Sequence, residues 1–243
     1  MSLVPESNDA LDRWAKAVGS ITDTPSATWT SPFIGLLAAD GASVATFGDI
    51  LGSETLWSSG PVAARLDEAQ FDLGEGPAWD ALRTRTPILV RAVDDPMMLL
   101  WPAFVSSAEH DHVKGLFVFP LLIGPFSLGA ISVFTLTRAT LSSEQVTLMM
   151  RVAEAQARSV LRFAVGQAAD ESESDDGRRH SRRAVHQATG FIISQLGLSA
   201  ADAYLVLQGR AFADERSMSD LSDDVIHGRV EFTTNQNGIE DAS

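Results

Sequence analysis

The chain has 243 residues, of which 45% are apolar, and a formal net charge of −14 at pH 7. This length and composition allow one large globular domain or two smaller ones. The absence of cysteine excludes disulfides, thiolate metal sites and cysteine nucleophiles. The sequence contains no run of about 18 apolar residues, so it predicts no membrane-spanning helix. The N-terminal residues lack the pattern of a signal peptide. We therefore expect a cytoplasmic protein.

The front part of the chain alternates between helical and extended patterns. Asp40-Gly41 is typical of a hairpin turn, and Pro77 is typical of the first position of a helix. Helices are predicted over 9–18, 62–71, 78–85, 101–109 and 143–165, and strands over 31–39, 43–47, 87–91, 115–122 and 128–136. With two hairpin-like pairs, this order predicts an α+β fold in which helices pack on an antiparallel sheet.

Short motifs in this region resemble those of the GAF domain. They lie at 74–82, 87–90, 101–104, 119–122 and 128–131. The resemblance covers about 10–165 and implies a sensor domain over 1–168 that holds an unknown small-molecule ligand between its sheet and a covering loop or helix. The aromatic residues available to line such a pocket are Trp79, Trp101, Phe104, Phe117 and Phe119. The alternative is that they belong to the hydrophobic core.

Residues 109–112, Glu-His-Asp-His, place two imidazoles beside two carboxylates. The ligands are crowded in one predicted loop and no further partner site is apparent, so we predict a solvated turn without a metal ion or cofactor. The sequence also lacks the Ser-His-Asp spacing of a hydrolase and a phosphate-binding glycine loop. We therefore expect a protein that is not an enzyme.

The last helix of the front domain carries two apolar stripes. The first has heptad spacing and consists of Val146, Met150, Ala153, Ala157, Val160 and Ala164. The second consists of Leu148, Val152, Leu161 and Val165. Two stripes would let one helix cover the sheet and also meet a partner subunit, which predicts a homodimer. The alternative is a single wide face that packs on its own domain.

The charge is distributed unevenly along the chain. Residues 169–177 are predicted to form a flexible acidic linker. Residues 178–243 hold seven arginines and nine acids, a balance of −2, which leaves −12 for 1–177. Because four of the arginines lie within 178–183, the second part of the chain has a local positive charge.

The segment 178–193 has the periodicity of a helix. Arg179, Arg182, Arg183 and His186 fall on one side, with Gly190 one turn further along it. The opposite side carries Ala184, Val185, Ala188, Ile192 and Leu196. Since glycine inside a helix costs roughly 1 kcal/mol relative to alanine, Gly190 indicates a place where another backbone or a nucleic-acid strand comes close. The alternative is a solvated, arginine-rich face.

Two further helices are predicted behind this one. Ser199 and Ser217 are each followed three residues later by an acid, Asp202 and Asp220, as at a capped helix start. The apolar residues that follow repeat at helical spacing. Three short helices should therefore share a small all-α core within 178–232, followed by a disordered tail over 233–243.

These helices closely resemble the ANTAR domain, a three-helix module that binds RNA in transcription antitermination regulators. The residues that carry the resemblance are 188–190, 195–199, Ala203, Leu207, 211–212, 217–221 and 224–226. Many members have lysine where this chain has Thr189, which would remove one positive charge from the binding surface. A GAF domain followed by an ANTAR domain is also a recurring pairing in actinobacterial regulators.

The resemblance implies a dimer that binds a tandem stem-loop in nascent mRNA and prevents a terminator or a sequestering hairpin from forming. The expected RNA-binding residues are Arg179, Arg182 and Arg183 for phosphates or stacking, His186 and Gln187 for base edges, Gly190 for close approach, and Arg210 for a further phosphate. One alternative is a DNA-binding transcription factor with a ligand-sensing domain, although the predicted third helix is acidic. Another is a protein-interaction module that does not bind RNA.

Overall fold

The computed structural model describes residues 19, 21–47, 51, 53–92, 95–107, 112–169, 177–214, 216–235 and 238–242. Within these ranges, the side chains of 167–169, 177–183, 201, 234–235 and 238–242 are not described. The predicted first helix over 9–18 and residues 170–176 of the predicted acidic linker lie outside the described residues. The chain divides into two compact units, Met1–Ser172 and Glu173–Ser243.

The first unit is built around an antiparallel sheet. Its helices are α1 (Ser31–Leu37), α2 (Pro61–Leu73), α3 (Pro77–Thr84), α4 (Pro102–Ser106) and α5 (Ser143–Ala169). Its strands are β1 (Gly41–Thr46), β2 (Glu54–Ser58), β3 (Ile88–Val90), β4 (Gly115–Ile123) and β5 (Phe126–Thr135). Among the described residues the sheet has the order β2-β1-β5-β4-β3. The predicted fold class, α+β with helices flanking an antiparallel sheet, is confirmed.

One face of the sheet is covered by α5. Alternate residues of β4, namely Phe117, Phe119 and Leu121, are fully buried in a core that also contains Met149 and Val152 of α5. Alternation follows from the strand geometry, which sends successive side chains to opposite faces. Burial of each such side chain stabilises the unit by about 1.5–3 kcal/mol, so α5 and the sheet form one cooperative layer pair.

The opposite face is covered by α2, α3 and α4. Prolines stand at the starts of α2 and α3, where the missing N–H costs no helical hydrogen bond. The helix α2 ends at Gly74, whose φ is 62°, and α3 ends at Arg85, whose φ is 58°. A left-handed conformation is ordinary for glycine but costs an arginine roughly 1–2 kcal/mol. The helices predicted at 62–71 and 78–85 are confirmed.

The prediction of a strand over 31–39 is wrong, because this segment forms α1. Pro32 stands at the start of the helix, and Ala38, with a φ of 48°, ends it. Phe33 and Leu37 lie one turn apart and are both buried, and the Phe33 ring packs 5.9 Å from the ring of Phe119. A short apolar run fits a strand or a buried helix equally well. Here the contact of Phe33 with the sheet core favours the helix.

The predicted hairpin turn at Asp40-Gly41 is also wrong. Gly41 is the first residue of β1 and pairs with Phe134 of β5, while β1 is joined on its other edge by β2. A Cβ at Gly41 would lie 2.4 Å from Cε1 of Phe134. The glycine is therefore required by the Phe134 ring against its backbone and not by a turn.

The heptad seam predicted on α5 does not face outward. Ala153, Ala157 and Val160 of the first stripe and Val152 of the second are fully buried within the unit. The residues of α5 that are exposed are largely polar, and Arg158 of this outer side pairs with Glu154 at 2.6 Å. The helix thus buries a single wide face, which was the alternative interpretation.

The second unit begins with α6 (Gly177–Leu196), α7 (Ala200–Ala213) and α8 (Met218–Ile226). The hydroxyl oxygen of Ser199 accepts a hydrogen bond from the Asp202 N–H at 3.2 Å, and that of Ser217 accepts one from the Asp220 N–H at 3.0 Å. Both predicted helix caps are confirmed. In the described part of the chain, no helix is both long enough and apolar enough to cross a bilayer.

A hairpin follows the three helices where the sequence predicted a disordered tail. Its strands are β6 (Glu231–Asn235) and β7 (Gly238–Ala242), which pair antiparallel. Phe232 is buried, and its N–H donates to the side-chain oxygen of Gln195 at 3.0 Å. The prediction missed this strand because its anchor is one aromatic residue packed on α6, which has no periodic pattern.

We expect Gly129→Ala to destabilise the first unit by about 3 kcal/mol. A Cβ at Gly129 would lie 2.0 Å from the carbonyl oxygen of Ala45, and this backbone contact between β5 and β1 has no side chain that can move away. Urea unfolding followed by tryptophan fluorescence measures this unit, because all five tryptophans precede residue 102. The matched control is Gly35→Ala in α1, where a Cβ meets nothing within 4 Å. An equal effect of the two substitutions would contradict the prediction.

Candidate nucleic-acid interface and ligand pocket

The described part of α6 separates cleanly into a buried and an exposed side. Val185, Ala188 and Ile192 are fully buried, whereas His186, Gln187 and Gly190 are exposed. Ala184 and Leu196, also predicted to pack, are half-buried. A Cβ added at Gly190 would meet no atom within 4 Å. The surface beside Gly190 is therefore open, as close approach of a nucleic-acid strand would require.

Arginines 179, 182 and 183 lie on α6, but their side chains are outside the described residues. The helix from 177 to 196 contains four arginines and no acid. In contrast, each arginine of the second unit whose side chain is described is bound to a carboxylate. These contacts join Arg210 to Asp214 at 2.7 Å, Arg216 to Asp224 at 2.6 Å, and Arg229 to Asp223 and Asp224. Arg210, predicted to contact a phosphate, thus has its charge offset by Asp214.

The ion pairs at α8 also lower the pKa of one of its acids, Asp224. The pKa of the Asp224 carboxyl lies below its ordinary value of 3.8, because Arg229 donates a hydrogen bond to it and Arg216 donates a second. The same contacts raise the pKa of Arg229 above its ordinary value. Asp224 therefore stays ionised and paired at neutral pH, and its partners are not free cations for an RNA phosphate.

Thr189 does not lie on the exposed side of α6. Only 7% of its surface is exposed, and its hydroxyl donates to the carbonyl oxygen of Val185 at 2.7 Å. The family resemblance predicted that threonine at position 189 removes one positive charge from the RNA-binding surface. This prediction is wrong, because the side chain of Thr189 lies on the buried side of α6. Threonine fits this buried position because its hydroxyl can bond to the preceding turn.

Sequence reasoning missed Phe191, which follows Gly190 on α6. This aromatic side chain is 41% exposed although it stands in an apolar run, Gly-Phe-Ile-Ile. The helical period carried the signal, because Phe191 lies one turn beyond Gln187 on the exposed side. An exposed ring beside an open glycine offers a stacking surface for an unpaired base.

The five aromatic residues predicted to line a ligand pocket lie on two faces of the sheet. Phe117 and Phe119 belong to the core under α5. On the other face, Trp101 and Phe104 are buried and Trp79 is half-buried. The prediction of one pocket lined by all five residues is therefore wrong. The sheet separates the two phenylalanines of β4 from the other three residues.

The two tryptophans on the α2–α4 face are held by hydrogen bonds to their own unit. Trp79 Nε1 donates to the carbonyl oxygen of Gln70 at 2.6 Å, and Trp101 Nε1 donates to Asp80 at 3.3 Å. Beside Phe104 an apolar cavity of about 10 Å³ remains. A space of this size holds about one water molecule, so this face has no open pocket for a ligand at that position.

The predicted turn at 109–112 lies outside the described residues except for His112, which is exposed. Among the residues that the structure describes, no group of three or more histidine and acidic side chains is arranged to hold a metal ion.

The two units differ in architecture: the first is an antiparallel sheet with flanking helices, and the second is built on three helices. Residues 176–226 match the ANTAR domain, so the predicted ANTAR domain is confirmed. No curated protein matches the chain in sequence.

Several solved structures are similar to the first unit. The GAF domain of an Acinetobacter phosphoenolpyruvate-protein phosphotransferase is 11% identical, with a TM-score of 0.48 over 70% of this chain and 99% of that chain. The GAF domain of the corresponding Coxiella burnetii protein is 16% identical, with a TM-score of 0.49 over 67% and 99%. The free methionine-R-sulfoxide reductase of Neisseria meningitidis is 15% identical, with a TM-score of 0.43 over 69% and 98%.

We expect Arg229→Gln to raise the pKa of Asp224 toward 3.8, because it removes the largest cause of the lowered value. A lowered carboxyl pKa stabilises the folded state above 3.8 and loses this contribution as the pH falls through the lowered value. The substitution should therefore move the acid-induced loss of the second unit to higher pH. Carbon NMR of the Asp224 carboxylate across an acid titration measures the shift, with Arg91→Gln in the first unit as control. Titration of Asp224 at the same pH in both variants would contradict the assignment.

Proposed function

We propose that the protein is a signal-responsive, cytoplasmic RNA-binding regulator that binds a tandem stem-loop in nascent mRNA and causes transcription antitermination. The ANTAR domain at 176–226 is the observation that carries this proposal. The GAF-like unit is the proposed sensor of an unknown small molecule. The absence of acids from α6 and the open surface at Gly190 support an RNA interface on this helix.

The ion pairs of the second unit indicate which of its arginines are available to RNA, and these arginines lie at one end of α6. Since Arg210, Arg216 and Arg229 are bound to carboxylates, the positive charge available to RNA comes from 178–183. We propose that Arg179, Arg182 and Arg183 contact phosphates or stack on loop bases. Arg210 is a weaker candidate, because a phosphate would have to compete with Asp214.

The exposed residues further along α6 would read the RNA. His186 and Gln187 have polar groups that can hydrogen-bond the edges of unpaired bases, and Phe191 can stack on a base. Gly190 lies between them without a side chain, so a ribose or phosphate can approach the helix backbone. Base-specific and backbone contacts would then come from a single helix face.

The acids of α8 disfavour the alternative of a DNA-binding transcription factor. In a helix-turn-helix protein a later helix enters the major groove, but α8 exposes Asp220 and Asp223. The carboxylate of Asp220 would be repelled by the phosphates that line the groove, whereas that of Asp223 is already bound to Arg229. The sequence of α6 contains no acid.

The proposed homodimer rests on the family resemblance and not on α5, where Val152, Ala153, Ala157 and Val160 of the two apolar stripes are buried in the first unit. A tandem stem-loop presents two similar sites, so two copies of the ANTAR domain would each take one. Linking two binding events in this way raises the overall affinity without any new contact.

We expect the triple variant Arg179→Gln, Arg182→Gln and Arg183→Gln to bind a tandem hairpin RNA at least about tenfold more weakly at 0.1 M salt. The slope of log affinity against log salt should fall by about 2, because each lost phosphate contact removes about 0.7. Fluorescence anisotropy at several salt concentrations measures both quantities.

The control variant carries Arg83→Gln, Arg91→Gln and Arg138→Gln, which are exposed in the first unit and change the net charge equally. Its affinity should equal that of the wild type. Unchanged hairpin binding by the α6 variant would refute the proposed interface, and tighter binding to duplex DNA than to hairpins would favour the DNA-binding alternative.

Gly190→Leu should weaken RNA binding without destabilising the protein. Its Cβ meets nothing in the folded unit, and leaving glycine inside a helix stabilises it by up to about 1 kcal/mol. We expect at least a tenfold loss of hairpin affinity, on the order of 1.4 kcal/mol, together with an unchanged or higher melting temperature by circular dichroism.

Gly209→Leu is the matched control, because Gly209 is an exposed glycine of α7 whose Cβ also meets nothing within 4 Å. This variant should bind RNA like the wild type. Equal affinities for the two leucine variants would show that no strand approaches α6 at Gly190.

A further inference from the structure

We propose that the first unit binds a small amphipathic carboxylate in a groove at the edge of its sheet. The groove has a volume of about 650 Å³ and lies between the end of β4, the segment 85–87 and the outer side of α5. Volumes of about 300–1,000 Å³ are typical of small-molecule sites. The site deepens the proposed sensor function by giving it a location and a ligand class.

The groove forms where β3 begins, at Ile88. Only Leu116, Phe117 and Val118 of β4 pair with β3, so β4 runs on past its neighbour toward Ile123. Among the described residues no strand pairs with this edge, and Pro120, which has no N–H, stands on it. A proline on an open edge discourages the addition of another strand, which leaves the space to a ligand of a different kind.

The lining of the groove is apolar at its floor and cationic at its rim. Leu122, Val146 and Met150 supply apolar surface, and Arg151, Glu154 and Arg158 stand on successive turns of α5. Arg158 pairs with Glu154 at 2.6 Å. Arg151 is exposed and makes no ion pair or hydrogen bond with the described residues. An unpaired guanidinium above an apolar floor is complementary to a carboxylate with an apolar body.

The wall opposite α5 is held in place before any ligand arrives. The guanidinium of Arg85 donates to the carbonyl oxygens of Gly124 at 2.6 Å and Pro125 at 2.8 Å, and to the Ser127 hydroxyl at 3.1 Å. These three contacts hold the β4–β5 turn against the end of α3. They also account for the left-handed backbone of Arg85, which aims its side chain at the turn. A preformed wall lowers the entropic cost of binding.

The position of the groove also fits an acidic sensor. The region 1–177 has a charge of −12, so a small anion is repelled from most of its surface, and Arg151 on the rim provides a local exception. The cavity beside Phe104 on the α2–α4 face is too small for such a molecule. Among the described residues, the groove therefore has the room and the charge that the cavity beside Phe104 lacks.

Decanoate is a suitable probe, and its binding to the full chain can be measured by isothermal titration calorimetry without RNA. We expect saturable binding of decanoate, and no detectable binding of acetate, which has no apolar body, or of 1-decanol, which has no charge. Arg151→Gln should weaken decanoate binding by about tenfold. Thr147→Trp, at an exposed position of the groove lining, should abolish it by filling the space.

Arg91→Gln, an exposed arginine outside the groove, should leave the decanoate affinity unchanged. The proposal is overturned if wild-type protein does not bind decanoate at millimolar concentration, or if all three variants bind it equally. It is also overturned if the wild type is a dimer in sedimentation that Thr147→Trp dissociates, because the groove would then hold a second copy. None of these outcomes involves hairpin affinity, so the RNA-binding function stands or fails separately.

Discussion

Burial of one side of α6 is the constraint on which the second unit depends. Val185, Ala188 and Ile192 fill its small core, and with 3.6 residues per turn their positions leave Gln187, Gly190 and Phe191 in solvent. Turning the helix by one residue would expose these apolar side chains, at roughly 1.5–3 kcal/mol for each large one. Hydrophobic burial therefore determines which face of α6 is exposed, and no attraction to a ligand is needed for this exposure.

The charges of the second unit follow the same division. Asp214, Asp223 and Asp224 lie behind or on the helices that follow α6, and each is bound to an arginine. Residues 178–243, with a net charge of −2, can thus keep an arginine-rich helix, because three of their acids are paired with other arginines. The net charge alone would have disfavoured nucleic-acid binding. The ion pairs show which arginines are bound to acids, and the remaining arginines lie on α6.

The elements predicted correctly are those whose signal is local. The helix caps at Ser199 and Ser217 and the helix start at Pro77 depend on a few adjacent residues, and β4 and β5 are long apolar runs. The errors depend on residues distant in the chain: the ring of Phe134 requires Gly41 to lie in a strand, and the contact with Phe119 selects a helix for 31–37. No local pattern contains such information.

The candidate sites show the same limit. Helical periodicity was sufficient to place His186 and Gly190 on the exposed side of α6, whereas the family resemblance placed Thr189 on the wrong side. For the aromatic residues, sequence identified apolar rings without telling which face of the sheet each would meet. The side of β4 is determined by strand register, and register is determined by pairing with β3 and β5.

A ligand on the first unit can influence RNA binding only by favouring one conformation of the chain over another. The covalent path from the sheet to the second unit runs through α5, whose buried side is packed into the sheet core. A helix so fixed along one face cannot bend freely, since close-packed cores shift between discrete arrangements and do not deform continuously. Residues 146–158 of α5 also form a wall of the groove. A molecule bound in the groove would therefore contact α5, the helix that connects the sheet to the second unit along the chain.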